Sequence, residues 1–104
     1  MLAKKYRLPL GRPAGRPSET LREREYSIKV FPAEHSWGRF GVICGKSVDR
    51  TASGRNRIRR AVLRAAAVAR ASLPVRDYLI VVHPQKGGYP KSHWNGFILQ
   101  IHTR

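Results

Sequence analysis

Acidic residues and cysteines are scarce in this chain of 104 residues. Six Asp and Glu stand against 21 Lys and Arg, which leaves a formal net charge of +15. The single cysteine, Cys44, excludes an internal disulfide and a metal site built from several cysteines. We expect Cys44 to be a small buried thiol of a cytoplasmic protein. No apolar run approaches the roughly 20 residues of a membrane-spanning helix, so we expect no membrane partner.

Groups that could carry catalysis are also missing from the sequence pattern. No two of the four histidines lie three to five residues apart, so a zinc-type spacing is absent. The acids do not form a facing pair that could act as general acid and base. The segment GVICGKS, residues 41–47, has three residues between its glycines where a phosphate-binding P-loop has four. We therefore expect no catalytic residue and no metal ligand in the protein.

The excess of positive charge points to a polyanionic partner. A small folded domain with this charge repels itself, and a polyanion relieves that repulsion. Nucleic acid fits better than a membrane surface, because no long amphipathic helix with large apolar anchors accompanies the charge. Arginine far outnumbers lysine, which favours bidentate phosphate contacts and stacking on bases.

Hydrophobic periodicity predicts one α+β domain over residues 1–104. Residues 1–23, with three prolines and two glycines, are typical of an extended basic arm with at most a helical turn near residues 18–22. Two strands, 25–31 and 39–45, are expected to form an antiparallel hairpin. The two glycines of the second strand indicate that another segment or a ligand comes close to it. The apolar run 75–84 indicates a buried central strand.

Two helices complete the expected β-β-α-β-α order. The first covers residues 53–71. Trp94, Phe97, Ile98 and Ile101 follow a helical period and favour a final amphipathic helix. The whole is an α/β sandwich in which helices pack on a small, mainly antiparallel sheet.

The helix at residues 53–71 has two contrasting faces. On a helical wheel Ile58, Val62, Ala65 and Ala69 share one arc. Arginines at positions 57, 60 and 64 lie on the opposite side, and no acid occurs between positions 50 and 76. Solvated helix faces usually mix charges of both signs. This helix is therefore predicted to dock on the sheet by its apolar stripe and to bind phosphates with its arginine row.

Residues 39–66, RFGVICGKSVDRTASGRNRIRRAVLRAA, closely resemble the signature of the bacterial ribonuclease P protein subunit family. That signature is a strand with R-x-G, a lysine-bearing loop and a helix with R-N-x-x-R-R-x-x-R. The opening KKYRL and the segment DYLIVVHP are also similar to the family, so the resemblance covers most of the chain. It implies an α/β sandwich with a left-handed β-α-β crossover. It also implies a non-catalytic subunit that binds a catalytic RNA and assists removal of the 5′ leader from precursor tRNA.

The resemblance assigns residues to these partners. The side chains expected to contact RNA are Lys46, Arg50, Arg55, Asn56, Arg57, Arg59, Arg60 and Arg64. Arg50 is included because the family's paired lysines appear here as Lys46 and Ser47. The candidates for stacking on leader nucleotides are Tyr26, Phe31 and Phe40. The cofactor is Mg²⁺, bound mainly by the RNA, and no protein partner is required.

The N-terminal region departs from the family. The family's N-terminal helix is replaced here by PLGRPAGRPSET, which cannot form that helix. One wall of the cleft that takes the leader is therefore expected to be reduced or rebuilt.

Other functions stay open. The main alternative is a small basic ribosomal RNA-binding protein, which would leave tRNA processing unaffected. A nuclease acting by itself would need the acid and base pair that the sequence lacks. A DNA-binding module would need a helix-turn-helix pattern, and here a strand precedes the basic helix.

Overall fold

The computed structural model describes residues 3–8, 16–90 and 92–99. Within these ranges the chain forms four strands and one α-helix. Their bounds in chain order are β1 Glu19–Arg22, β2 Tyr26–Pro32, β3 Arg39–Ile43, α1 Ala52–Ala69 and β4 Arg76–Val82. Short 3-10 turns cover Lys4–Tyr6 and Arg70–Ser72. The predicted α+β class is confirmed. No helix in the described residues is long and apolar enough to cross a membrane.

The four strands form one sheet in the order β1-β2-β4-β3. β1 with β2 and β2 with β4 pair antiparallel, whereas β3 with β4 pair parallel. The predicted mainly antiparallel sheet and its buried central strand are confirmed. The predicted hairpin of β2 and β3 is wrong, because β4 lies between them. The connection β3-α1-β4 thus joins parallel neighbours through a helix, and its left-handed sense stays a prediction.

β1 corrects the expectation for the N-terminal arm. The expected extended backbone is found at residues 19–22, but the possible helical turn is not: these residues pair with β2, with Leu21 opposite Ile28. The Ser18 amide extends the pairing by donating to the carbonyl of Val30 at 2.7 Å. A single helical turn fixes several backbone dihedrals and gains only one hydrogen bond. Pairing with the edge of β2 gives this segment more hydrogen bonds for a similar loss of conformational entropy. Residues 1–2 and 9–15 of the arm lie outside the described residues.

The main core lies between α1 and one face of the sheet. Ile58, Val62, Ala65 and Ala66 of α1 are buried and join one apolar cluster with residues of β2, β3 and β4. Ala69, predicted to belong to this stripe, is only half-buried at the end of the helix. The small side chains of Ala65 and Ala66 allow close approach of the helix to the sheet.

The N-terminal segment lies along the edge of the sheet beside β3, where Arg7 forms a parallel bridge with Phe40. The Leu8 amide donates to the carbonyl of Phe40 at 2.8 Å. A Cβ at Gly41 would lie 3.1 Å from Leu8 Cβ and 3.3 Å from Leu79 Cδ1. Gly41 therefore accommodates this segment, which confirms the prediction that another part of the chain comes close to β3.

The predicted final helix is wrong over the described residues 92–99. Residues 92–96 form turns, and Gly96 has a φ of 69°, in the left-handed region that interrupts an α-helix. Trp94 and Leu99 are buried in the core cluster, while Ile98 is 74% exposed. Ile101, the last residue of the predicted stripe, lies outside the described residues.

Candidate RNA-binding face

The N-terminus of α1 is fixed by a short hydrogen-bond network. The Thr51 hydroxyl caps the helix and accepts from the Gly54 amide at 3.0 Å. Asp49 Oδ1 accepts from the amide and the hydroxyl of Thr51, each at 2.8 Å. These bonds hold the pKa of the Asp49 carboxyl below its ordinary value. A Cβ at Gly54 would overlap the Asp49 carboxylate. Glycine at this position therefore leaves room for that carboxylate at the positive N-terminal end of the helix.

Arg55 is oriented by the loop that precedes the helix. Its Nη1 donates to the carbonyl oxygens of Asp49 at 3.0 Å and Arg50 at 2.9 Å. Carbonyl acceptors orient a guanidinium without neutralising its charge. A guanidinium has five N–H donors, so donors not used in these bonds can bind another ligand. Arg55 is thus held in place and keeps its charge.

Arg59 is oriented in a similar way. It donates to Asn56 Oδ1 at 3.0 Å through Nη1 and to the carbonyl of Cys44 at 3.3 Å through Nη2. Cys44 itself is buried, and burial raises the pKa of its thiol against the opposing effect of Arg59. The expected small buried thiol is confirmed, and its backbone carbonyl serves as a support for Arg59.

The row of arginines at positions 57, 60 and 64 is exposed on the side of α1 away from the core. These side chains and Ser53 line an open groove of about 380 Å³, which Trp94 and Asn95 close on the other side. Within residues 3–8, 16–90 and 92–99, the salt bridges involve Arg39 and His93 only. None neutralises an arginine of α1. The predicted two-faced helix is therefore confirmed.

A second polar groove lies at the start of α1. It has a volume of about 560 Å³ and is lined by Lys46, Ser47, Asp49 and Arg50 on one side. The loop at residues 85–89 forms the other side, with Gly87 and Gly88 at φ values of 80° and 77°. The sequence pattern does not show that this loop faces the start of α1, although its adjacent glycines mark a tight turn. Lys46 and Arg50 are exposed at the edge of this groove.

All eight predicted RNA contacts therefore lie on α1 or on the loop before it. The exposed ones are Lys46, Arg50, Asn56, Arg57, Arg60 and Arg64. Arg55 and Arg59 are half-buried at the side of the helix. We call these eight residues the arginine face.

The predicted stacking residues are placed differently. Tyr26, Phe31 and Phe40 are only 7%, 4% and 1% exposed. Tyr26 packs edge-on against Phe97 and Phe40 stacks on Tyr78, with ring centroids 5.5 Å and 5.1 Å apart. Their apolar rings stabilise the sheet and offer no open ring face to a base. The expectation that these three residues stack on leader nucleotides is corrected accordingly.

An aromatic pair with one exposed and one half-buried member occurs elsewhere. In the loop between β2 and β3, the rings of His35 and Trp37 stack with centroids 4.7 Å apart. From the sequence, this loop is predicted only to be a turn. The overlooked signal is two aromatic residues at alternate positions, which in extended backbone point to the same side.

The described side chains do not form a site that could bind a metal ion. Among the described residues, no group of three or more His, Cys, Asp or Glu side chains could hold one. We derive no step through a metal bound by this chain.

The fold and the arginine face define a small basic α+β protein suited to a polyanionic ligand. A family model described as Ribonuclease P matches residues 14–96. The chain therefore belongs to the ribonuclease P protein family, the protein component of a ribonucleoprotein endoribonuclease that acts in tRNA 5′-leader processing. A search of the curated proteins gives no match.

Solved structures share the fold. The RNase P protein of Staphylococcus aureus superposes with a TM-score of 0.64 at 16% identity, covering 75% of this chain and 72% of that one. A mutant of the Staphylococcus aureus protein, described as defective in mRNA degradation activity, gives a TM-score of 0.57 at 18% identity. That match covers 62% of this chain and 55% of the mutant. At these identities the comparison establishes the common architecture.

Proposed function

We propose that the arginine face binds the catalytic RNA of ribonuclease P and so assists cleavage of the 5′ leader from precursor tRNA. The observation that carries this proposal is the exposed row of arginines at positions 57, 60 and 64, which form no salt bridge with the carboxylates of the described residues. A guanidinium that is already ion-paired has little to gain from a phosphate, whereas these three side chains make no direct ion pair among the described residues. Arg55 and Arg59 add two guanidinium groups with orientations fixed by backbone and amide oxygens.

The protein's contribution in this proposal is electrostatic and positional. Catalytic RNA and precursor tRNA are both polyanions, and a protein of charge +15 reduces the repulsion between them. Mg²⁺ held by the RNA would supply the Lewis acid and the activated water for phosphodiester hydrolysis. The protein would then lower the Mg²⁺ concentration that cleavage requires.

We also propose that the protein alone does not cut RNA, that it needs no protein partner, and that it works in the cytoplasm. These statements rest on the absence of an acid and base pair in the sequence and on the scarcity of cysteine. They are separable from the binding proposal. The controls of the same experiment test the first two, and fractionation of cells tests the location.

The test is cleavage of a precursor tRNA by the cognate catalytic RNA at low Mg²⁺, with and without the protein. We expect strong stimulation that needs both RNA and protein. Protein without RNA should give no product. A ribosomal RNA fragment as competitor should not abolish stimulation at equimolar concentration. Absence of stimulation together with preferential binding to ribosomal RNA would favour the ribosomal alternative.

A further inference from the structure

Cations and aromatic rings alternate across one end of the sheet. Arg70 Cζ lies 3.5 Å from the centroid of the Tyr6 ring. Lys5 Nζ lies 5.0 Å from that centroid and 5.2 Å from the centroid of Trp37. Trp37 stacks on His35 with an interplanar angle of 8°. We call these five residues the cation–aromatic ladder.

The fold fixes the ladder by hydrogen bonds between segments that are distant in sequence. Trp37 Nε1 donates to the carbonyl of Lys5 at 2.9 Å. The Leu8 amide donates to Phe40, which anchors the N-terminal segment beside β3. Preorganised rings of this kind cost little conformational entropy when a ligand binds.

The outer end of the ladder is open and positively charged. His35, Lys4 and Lys5 are exposed. An open groove of about 500 Å³ runs between the Lys4–Leu8 segment and the loop that carries His35 and Trp37. Glu34 lies nearby and pairs with Arg39 at 3.3 Å, but the groove is also lined by Lys4, Lys5 and Arg7, so its balance of charge is positive.

This arrangement has the two parts that unpaired nucleotides require. Bases stack on aromatic rings, with histidine among them, and each such contact is largely independent of sequence. Lysines beside the rings neutralise the phosphates that connect the bases. His35, whose inner face lies on Trp37, has its outer face directed away from that ring and can extend the stack by one base.

We infer that the cation–aromatic ladder is a binding site for unpaired nucleotides, separate from the arginine face, with a base stacked on His35 and phosphates beside Lys4 and Lys5. This inference rests on the proposed function, because it takes RNA as the partner. The single strand that supplies the nucleotides is either the precursor leader or an unpaired segment of the catalytic RNA. The two share the chemistry that the ladder recognises.

The first experiment measures binding of a labelled oligouridylate and of an abasic oligomer of equal length. His35→Ala should weaken binding of the oligouridylate by about 5- to 100-fold, the range for loss of one base stack. The abasic oligomer should bind both proteins alike. His35→Phe is the matched control, because it keeps a ring at the same exposed position and should retain most of the affinity.

Two results would overturn the inference: equal affinity of His35→Ala and the starting protein for oligouridylate, or equal loss for both oligomers. Trp37→Leu provides a second variant that removes the support of His35, with thermal melting to verify folding. Because His35 is exposed, His35→Ala should fold even where Trp37→Leu does not.

Two further arms identify the source of the nucleotides. If the leader occupies the ladder, His35→Ala should weaken binding of normal precursor tRNA but should not change binding of a precursor tRNA whose leader is abasic. The affinity for catalytic RNA alone should fall in His35→Ala if that RNA occupies it. Failure of the proposed function would appear separately, as absence of cleavage stimulation by the starting protein, while oligomer binding still reports on the ladder.

Discussion

Two arginines of the family signature, Arg39 and Arg55, take opposite roles because their acceptors differ. Arg39 is buried and donates to both carboxylate oxygens of Asp77, at 3.3 Å and 2.8 Å. The hydrogen bond to Asp77 raises the pKa of the Arg39 guanidinium above its ordinary value. Arg55 donates to carbonyl oxygens and keeps its charge for other ligands. Residue type alone therefore does not identify an RNA contact.

The buried pair of Arg39 and Asp77 makes the first prediction. Asp77→Asn should lower the free energy of unfolding by about 3–5 kcal/mol, because it leaves a buried guanidinium without its main counter-charge. Urea denaturation measures the loss. Glu34→Gln is the matched control: its side chain is 54% exposed, and removing such a pair should cost under about 1 kcal/mol. Equal effects of the two variants would contradict this assignment.

Asp49 makes a prediction about pH. The hydrogen bond from the Thr51 amide is the main reason why the pKa of the Asp49 carboxyl in the folded protein lies below its ordinary value of 3.8. As the pH falls, this carboxyl is therefore protonated in the unfolded chain before it is protonated in the folded protein. Its contribution to stability is fully present above the ordinary pKa and is lost as the pH falls through the folded pKa. Asp49→Asn should therefore melt below the starting protein near pH 6, and the difference should shrink below about pH 4. A difference in melting temperature that is independent of pH would contradict the role of this charge.

At the scale of elements, α1 was predictable because one pattern determines both its faces. The period of Ile58 and Val62 marks the docking side, and the arginines fall opposite as a geometric consequence. Thr51 and Asp49 then determine where the helix begins. The predicted range 53–71 differs from the observed Ala52–Ala69 by one or two residues at each end.

Val62 and Val68 provide a matched pair on this helix. Val62 is fully buried, whereas Val68 is 81% exposed. Val62→Asp should unfold the domain, because it places an unpaired charge in the core. Val68→Asp should change the free energy of unfolding by no more than about 0.5 kcal/mol. Thermal melting distinguishes them, and a folded Val62→Asp protein would show that the docking side is assigned wrongly.

Strand pairing and the C-terminal segment could not be derived from the same patterns. Alternation shows which face of a strand is buried, but it does not show which strand lies beside it. β2 and β3 are consecutive in sequence, yet the crossover through α1 places β4 between them. At the C-terminal end, the positive φ of Gly96 interrupts the helix that the spacing of Trp94 and Phe97 predicts.

At the scale of the whole molecule, the position of charge matters more than its sum. The arginine face comes from one continuous segment, so the sequence could predict it. The cation–aromatic ladder combines the Lys4–Tyr6 turn, the β2–β3 loop and Arg70, which only the folded sheet brings together. Sequence patterns describe neighbours within about one element, and a surface built from three distant segments escapes them.

The last prediction separates located charge from total charge. A triple variant with Ala at Arg57, Arg60 and Arg64 loses three charges from the arginine face, and a control triple with Ala at Arg16, Arg22 and Arg24 loses three exposed charges elsewhere. Both reduce the formal charge from +15 to 15 − 3 = +12. If the face holds phosphates, the first triple should flatten the dependence of log K on log salt for catalytic RNA by about two units, at 0.7–0.9 per phosphate contact.

The control triple should leave that slope nearly unchanged, because its arginines add to the general field without holding a phosphate at contact distance. Binding titrations of the catalytic RNA at several salt concentrations measure both slopes. Equal flattening by the two triples would mean that the RNA responds to total charge, and the arginine face would then lose its special role. A flattened slope for the first triple alone would show that the helix fixes where the RNA lies on the protein.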